Sequence, residues 1–141
     1  MIKLCGIELK SSAAILAVIK ALDGNIELVD VDPCKISIGD DKSCTNIRSF
    51  FSSFVNFVRD NHINVVVIKS RAKRGPRAGG AVSFKLESLI QLNGVVDVEF
   101  VSGQGIAAAN KSEPFDNPNN FKRYQEAAFM AACLYARRND L

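Results

Sequence analysis

Three apolar runs crowd into the chain before Val31, with almost nothing between them. Residues 2–9 are rich in Ile and Leu, as suits a strand buried on both faces. Residues 13–21, Ala-Ala-Ile-Leu-Ala-Val-Ile-Lys-Ala, form the second run. Asp23-Gly24-Asn25 is a hairpin turn signal, because Gly and Asn tolerate positive φ, and Ile26 to Val31 reads as a third strand. A parallel return needs a crossover of a dozen residues or more, so connections this short join antiparallel neighbours. The chain therefore opens as an antiparallel meander.

Beyond it the hydrophobic period changes. Pro33 to Ser43 is a loop with a short edge segment at Lys35–Ile38. Ile47, Phe50, Phe51, Phe54, Phe57 and Val58 then form one helical stripe, which Ser43 or Thr45 can cap. Ile63 to Ile68 is a short β-branched strand, and Lys69–Gly80 a polar loop. Val82, Leu86, Leu89 and Ile90 mark a second helix, ended near Asn93-Gly94. Val95–Val101 is another strand. A loop containing Gly103, Gly105, Pro114 and Pro118 leads to a last helix over 119–138, with Phe121, Tyr124, Ala128, Ala131 and Tyr135 on its apolar face. The order β-β-β-α-β-α-β-α predicts an α/β fold: a mixed five-stranded sheet with helices on both faces.

A chain of 141 residues suits one domain spanning residues 1–141, long enough to bury a sizeable core. Met1–Ile7 is too short an apolar run for a signal peptide and no other run could span a bilayer, so the expected location is cytoplasmic, without a membrane partner. Cys5, Cys34, Cys44 and Cys133 are scattered, as expected of reduced thiols rather than of disulfides or a zinc site. Bulk charge, +3 from 18 basic and 15 acidic residues, is too mild to argue for nucleic acid, so only its distribution can.

Three groupings carry chemistry. In Gly6-Ile7-Glu8-Leu9-Lys10 a carboxylate sits in an apolar strand, where burial without a partner is costly. Glu8 and Lys10, two apart, leave the same face, either as a local ion pair or as part of a site. Between Lys69 and Arg77 fall Lys69, Arg71, Lys73, Arg74 and Arg77 with no acid among them, in a Gly-rich loop that runs into a helix N-terminus. Free N–H groups and the helix dipole favour anions there, so this is a candidate phosphate-binding element. It is no Walker loop, since Ala81-Val82 replace the required Lys-Ser/Thr. Arg123 and Glu126 share a face of the last helix at i, i+3 spacing. Gly103-x-Gly105 followed by Ala108 is discounted as a dinucleotide signal because no βαβ unit follows. His62, the sole histidine, suits a helix terminus and cannot anchor a catalytic triad.

Gly6-Ile7-Glu8, the strand Val65–Ile68 with its following helix, and Tyr124-Gln125-Glu126-Ala127-Ala128 resemble the Holliday-junction resolvases of the RuvC type, over nearly the whole chain. The chain is also similar to a small bacterial group of that fold with no established function. The resemblance implies a ribonuclease-H-like sheet of order 3-2-1-4-5, with the first three strands antiparallel. It implies a site at the ends of the first and fourth strands, closed by the last helix. In those resolvases four carboxylates hold two divalent ions, Mg2+ or Mn2+, which activate water. Here the matching positions are Glu8, Lys69, Glu126 and Arg123, two acids and two cations. Asp116 or Glu113, in the loop before the helix, could restore an acid, but nothing in the sequence requires it.

Three functions stay open. The leading expectation is a nucleic-acid-associated protein that binds phosphates through Lys10, Lys69, Arg71, Lys73, Arg74, Arg77 and Arg123. If active, it would be a degenerate nuclease with Glu8, Lys69 and Glu126 catalytic and Glu8 and Glu126 holding metal. With no Trp and two Tyr there is little to stack bases on, which favours duplex or branched DNA over single strands. The alternatives are a catalytically dead interaction module, with another protein or a second copy as its partner, and a small phosphate or nucleotide binder using the Gly75–Gly80 loop.

Overall fold

The computed structural model describes residues 1–72, 74, 75, 80–118 and 121–141. The opening meander consists of β1 (Ile2–Lys10), β2 (Ala13–Leu22) and β3 (Asn25–Val29). It is followed by β4 (Lys35–Ser37), α1 (Cys44–Asp60), β5 (Val65–Ser70), α2 (Ala81–Gln91), β6 (Asp97–Ser102), α3 (Gly103–Ser112) and α4 (Glu126–Arg138), the last entered through a 3₁₀ turn at Arg123–Gln125. The strands form one sheet in the order β3-β2-β1-β5-β6. This is the expected 3-2-1-4-5 order. The edge segment near Lys35 is a sixth strand, β4, which pairs with Ala13–Ile15 while β3 pairs with Val18–Leu22 farther along the same strand.

β1 sits at the centre, antiparallel to β2 and parallel to β5. Its side chains alternate between two cores. Cys5, Ile7 and Leu9 join Phe50, Phe54, Phe57 and Val58 of α1 and Leu86 and Ile90 of α2 on one face. Leu4 packs with Ile106 of α3 and with Ala128, Phe129, Ala131 and Ala132 of α4 on the other. Each buried Phe of the α1 stripe contributes about 1.5–3 kcal/mol by leaving water. Ser43 caps α1, its Oγ accepting the Asn46 N–H at 3.2 Å.

Two elements depart from the sequence reading. The loop expected after β6 begins as a helix, α3. Its glycines argue against helix in the interior, but they lie in the first turn, where Ser102 Oγ accepts the Gly105 N–H at 2.8 Å and alanines follow. The last helix starts later than 119, at Glu126, after the 3₁₀ turn.

α4 can lie on β1 because residue 6 is glycine. A Cβ there would collide with the Ala128 carbonyl and stand 3.1 Å from the Ala132 Cβ. The obstacle is backbone, which cannot swing away. Gly6→Ala should therefore cost about 3 kcal/mol or more, lowering Tm by roughly 10 °C in thermal unfolding; an unchanged Tm would mean that α4 does not approach this closely.

All four cysteines are free thiols. Burial pushes the Cys5 thiol far up, and it pushes Cys133 to about 12, with the Arg137 charge opposing slightly. Below that pH both stay protonated and enclosed. Alkylation at neutral pH should modify exposed Cys44 first and reach Cys5 and Cys133 only in denaturant, as peptide mass spectrometry would show. Native labelling of Cys133 at the rate of Cys44 would contradict the packing of α4.

Candidate functional site

Parallel pairing of β1 with β5 sets Glu8 directly opposite Lys69. Both leave the α4 face of the sheet, following Leu4 and Gly6 on β1 and Val65 and Val67 on β5. Their side chains meet, Lys69 Nζ lying 3.6 Å from Glu8 Oε2. The pair is only partly wet, with 28% of the Lys69 side chain and 15% of the Glu8 side chain exposed. The Lys69 stem runs beside Gly103 at the start of α3, where a Cβ would stand 3.3 Å from Lys69 Cε.

The beginning of α4 is held to the same region. Gln125 is buried. Its Nε2 donates to the Leu16 carbonyl of β2 at 2.9 Å, and its Oε1 accepts the Lys122 N–H at 2.9 Å. Leu16 lies opposite Ile7, and Ala128 sits on Gly6, so the first turn of α4, with half-buried Glu126, lies beside the Gly6–Glu8 stretch. Arg123 opens the preceding 3₁₀ turn and is exposed. Among the described residues neither Glu126 nor Arg123 joins the Glu8–Lys69 ion pair.

Cations gather at the carboxyl ends of these strands. Lys10 ends β1 and is exposed. Arg71 follows β5 and is half-buried, and its Nε is buried without a hydrogen-bond partner among the described residues. Arg74 is exposed, while Lys73 and Arg77 lie outside the described residues. α2 begins at the same end. Its first-turn Ser83 donates from Oγ to the Ser11 carbonyl of the β1–β2 turn at 3.4 Å, and its N-cap, Gly80, supplies no side chain to the free N–H groups. At the same end, Asp41 of the loop before α1 is held below the usual carboxylate range by its hydrogen bond to the Lys85 ammonium of α2, 2.8 Å away.

Glu113 and Asp116, the two acids considered as replacements, line a different cleft of about 800 Å³. It lies between the Asp23–Asn25 turn, the 113–118 loop and the end of α4. That turn adjoins the first residue of β1, at the far end of the strand from Glu8. Arg137 stabilises this loop, stacking 4.1 Å above the Phe115 ring and donating to the Glu113 carbonyl at 2.9 Å.

A four-carboxylate, two-metal centre does not fit this donor set. An ammonium stands at the end of β5, where the resolvase resemblance implies an acid, and it is already paired with the β1 acid. Among the described residues no three His, Cys, Asp or Glu side chains come together in a way that could hold an ion. The residues the sequence did not single out are the positioning ones. Gln125 carries a faint signal, a glutamine just before an alanine-rich helix. Gly103 is visible only in the discounted dinucleotide signal, because its neighbour Lys69 comes from β5, distant in the chain.

The geometry can be set against known proteins. No curated protein matches the chain. Two solved structures of RuvC from Thermus thermophilus share its fold. The protein alone matches with a TM-score of 0.74 at 10% identity, covering 99% of this chain and 98% of that one. RuvC in complex with a Holliday junction substrate matches with a TM-score of 0.69 at 10% identity and the same coverage. At that identity the likeness shows the ribonuclease-H-like fold alone. The family described as "Protein of unknown function (DUF3010)" matches residues 2–135, and the chain therefore belongs to that family, on a RuvC-like fold.

Proposed function

We propose that this protein binds the phosphate backbone of duplex or branched nucleic acid at the carboxyl ends of β1 and β5. The observation that carries the reading is Arg71. Its buried Nε has no hydrogen-bond partner among the described residues, and it follows directly on Lys69 and Ser70 beside the strand that ends in Lys10. An unpaired buried donor on a cation is costly, and a phosphate oxygen would satisfy both its charge and its hydrogen bond. The open N-terminus of α2 adds free N–H groups at the same end. Arg74 and Arg123 would extend the track along the backbone, and the sequence adds Lys73 and Arg77 close by in the chain. The junction held by the Thermus RuvC structure of the same fold is consistent with a double-stranded or branched ligand. Glu8, Lys69 and Glu126 would form the centre of this surface, and the proposed location is cytoplasmic; no described helix is long and apolar enough to cross a membrane.

A second reading, a module that docks a protein or a second copy, draws on the outer edge of β6. Phe100 is 39% exposed there, with Leu92 and Val95 exposed in the connection leading to it. An open apolar strand edge is a template for pairing.

Titration of a labelled four-way junction and a matched duplex at two salt concentrations separates the readings. Three phosphate contacts predict about a 40-fold loss of affinity between 50 and 200 mM salt. Arg71→Ala and Lys10→Ala should each weaken binding to all sequences alike and lower the salt slope by about 1. Binding that ignores salt, or no binding at low salt, would overturn the phosphate reading and leave the docking module.

A further inference from the structure

The disagreement between this donor set and a metal centre is informative in itself. We infer that the Lys69 ammonium is the resident cation of the site, and that by holding Glu8 it keeps divalent ions out, so that the surface works without metal. The part about working without metal rests on the phosphate-binding reading above. The part about ion exclusion concerns the protein alone.

The pair is built in rather than incidental. Exposed ion pairs form and break because long side chains wander. Here the backbone ladder between β1 and β5 places the two residues side by side, and both side chains are largely enclosed. Gly103 leaves the space through which the Lys69 stem reaches Glu8. A divalent ion entering at Glu8 would have to displace a cation that the strand register sets directly beside it. It would find no cluster of three ligands among the described residues to replace the lost attraction. With Glu8 and Lys69 neutralising each other, Glu126 opens α4 with Arg123 in the preceding turn, and neither joins the pair among the described residues. An ammonium also carries its charge to a phosphate oxygen directly, as an ion does, but with one charge and without an activated water. Backbone recognition is therefore retained and water activation by a metal is not.

Replacing the cation by an acid should reverse the exclusion. Mn2+ binding is measured on the purified full chain by electron paramagnetic resonance of free Mn2+, with wild type, Lys69→Asp, Lys69→Asn and Glu8→Gln in parallel and circular dichroism confirming the fold of each. Wild type should bind no Mn2+ at millimolar concentrations. Lys69→Asp should bind with an affinity at least tenfold above wild type, and Lys69→Asn, which only removes the ammonium, should fall between; either folded variant suffices. Stoichiometric Mn2+ binding by wild type that Glu8→Gln abolishes would overturn the inference. So would folded Lys69 variants that bind no better than wild type, since Lys69 would then not be what excludes the ion. In a second arm, junction affinity should be no higher in Mg2+ than in EDTA, since Mg2+ only competes for the phosphates, and a requirement for Mg2+ would also overturn it. Absence of any nucleic-acid binding would remove the proposed function, while the Mn2+ arm would still decide whether Lys69 excludes metal.

Discussion

The parallel register of β1 against β5 is the constraint on which the site depends. It sets Leu4 beside Val65 and, four residues later, Glu8 beside Lys69. Strand side chains alternate with period two, so a slip of one residue would send Glu8 into the core beneath α1 and α2 and lift Ile7 out of it. The apolar alternation of both strands forbids that slip: Cys5, Ile7 and Leu9 on β1 and Val66 and Ile68 on β5 fill one core. Burial energy spread over the sheet thus fixes the relative position of two charged groups at its end. The pair inherits its precision from the core and has little need to supply stability itself, as expected where Coulomb gain and desolvation nearly offset.

The second dependency is the seat of α4. A helix packed on a sheet ordinarily stands off by the thickness of its side chains. Over Gly6 that layer is missing, and the Ala128 carbonyl comes down onto the strand. Alanines at 128, 131, 132 and 136 keep the rest of the approach close. Gln125 completes the placement, its amide spanning from the Leu16 carbonyl to the Lys122 N–H. Helix, strand and turn together bring Glu126 to the same end of the sheet as Glu8 and Lys69.

Charge is distributed unevenly along the strands even though the net value is small. Lys10, Lys69, Arg71 and Arg74 lie at the carboxyl ends of β1 and β5 or just beyond, where α/β folds commonly hold ligands. Asp23, Glu113, Asp116 and Asp140 line the cleft at the opposite end. A local cluster of cations attracts a polyanion even where the net charge is small.

The sequence by itself determined the elements and much of their order. The three crowded apolar runs could only be a meander, because their connections are too short for crossovers, and the period change after Ser43 marked the helices. It also held the hint that the site is unusual, since Glu8 and Lys69 were already visible as an acid and a cation at positions where the resolvase resemblance implies two acids. What it did not determine was which of the four candidate residues meet. Glu8 and Lys69 come together through a register that is a property of two strands, whereas Glu126 and Arg123, just as close in pattern, stay outside the ion pair. α3 is illegible in the sequence for a related reason: local propensity penalises its glycines, but a first turn is stabilised by the Ser102 cap and by packing of Ile106 against the sheet. The role of Gly6 was hidden too, because the atom it avoids belongs to Ala128, far away in the chain. Periodicity and turn chemistry are local and can be read from a string of residues; register, close approach and ion pairing between strands are relations across the fold, and only tertiary structure decides them.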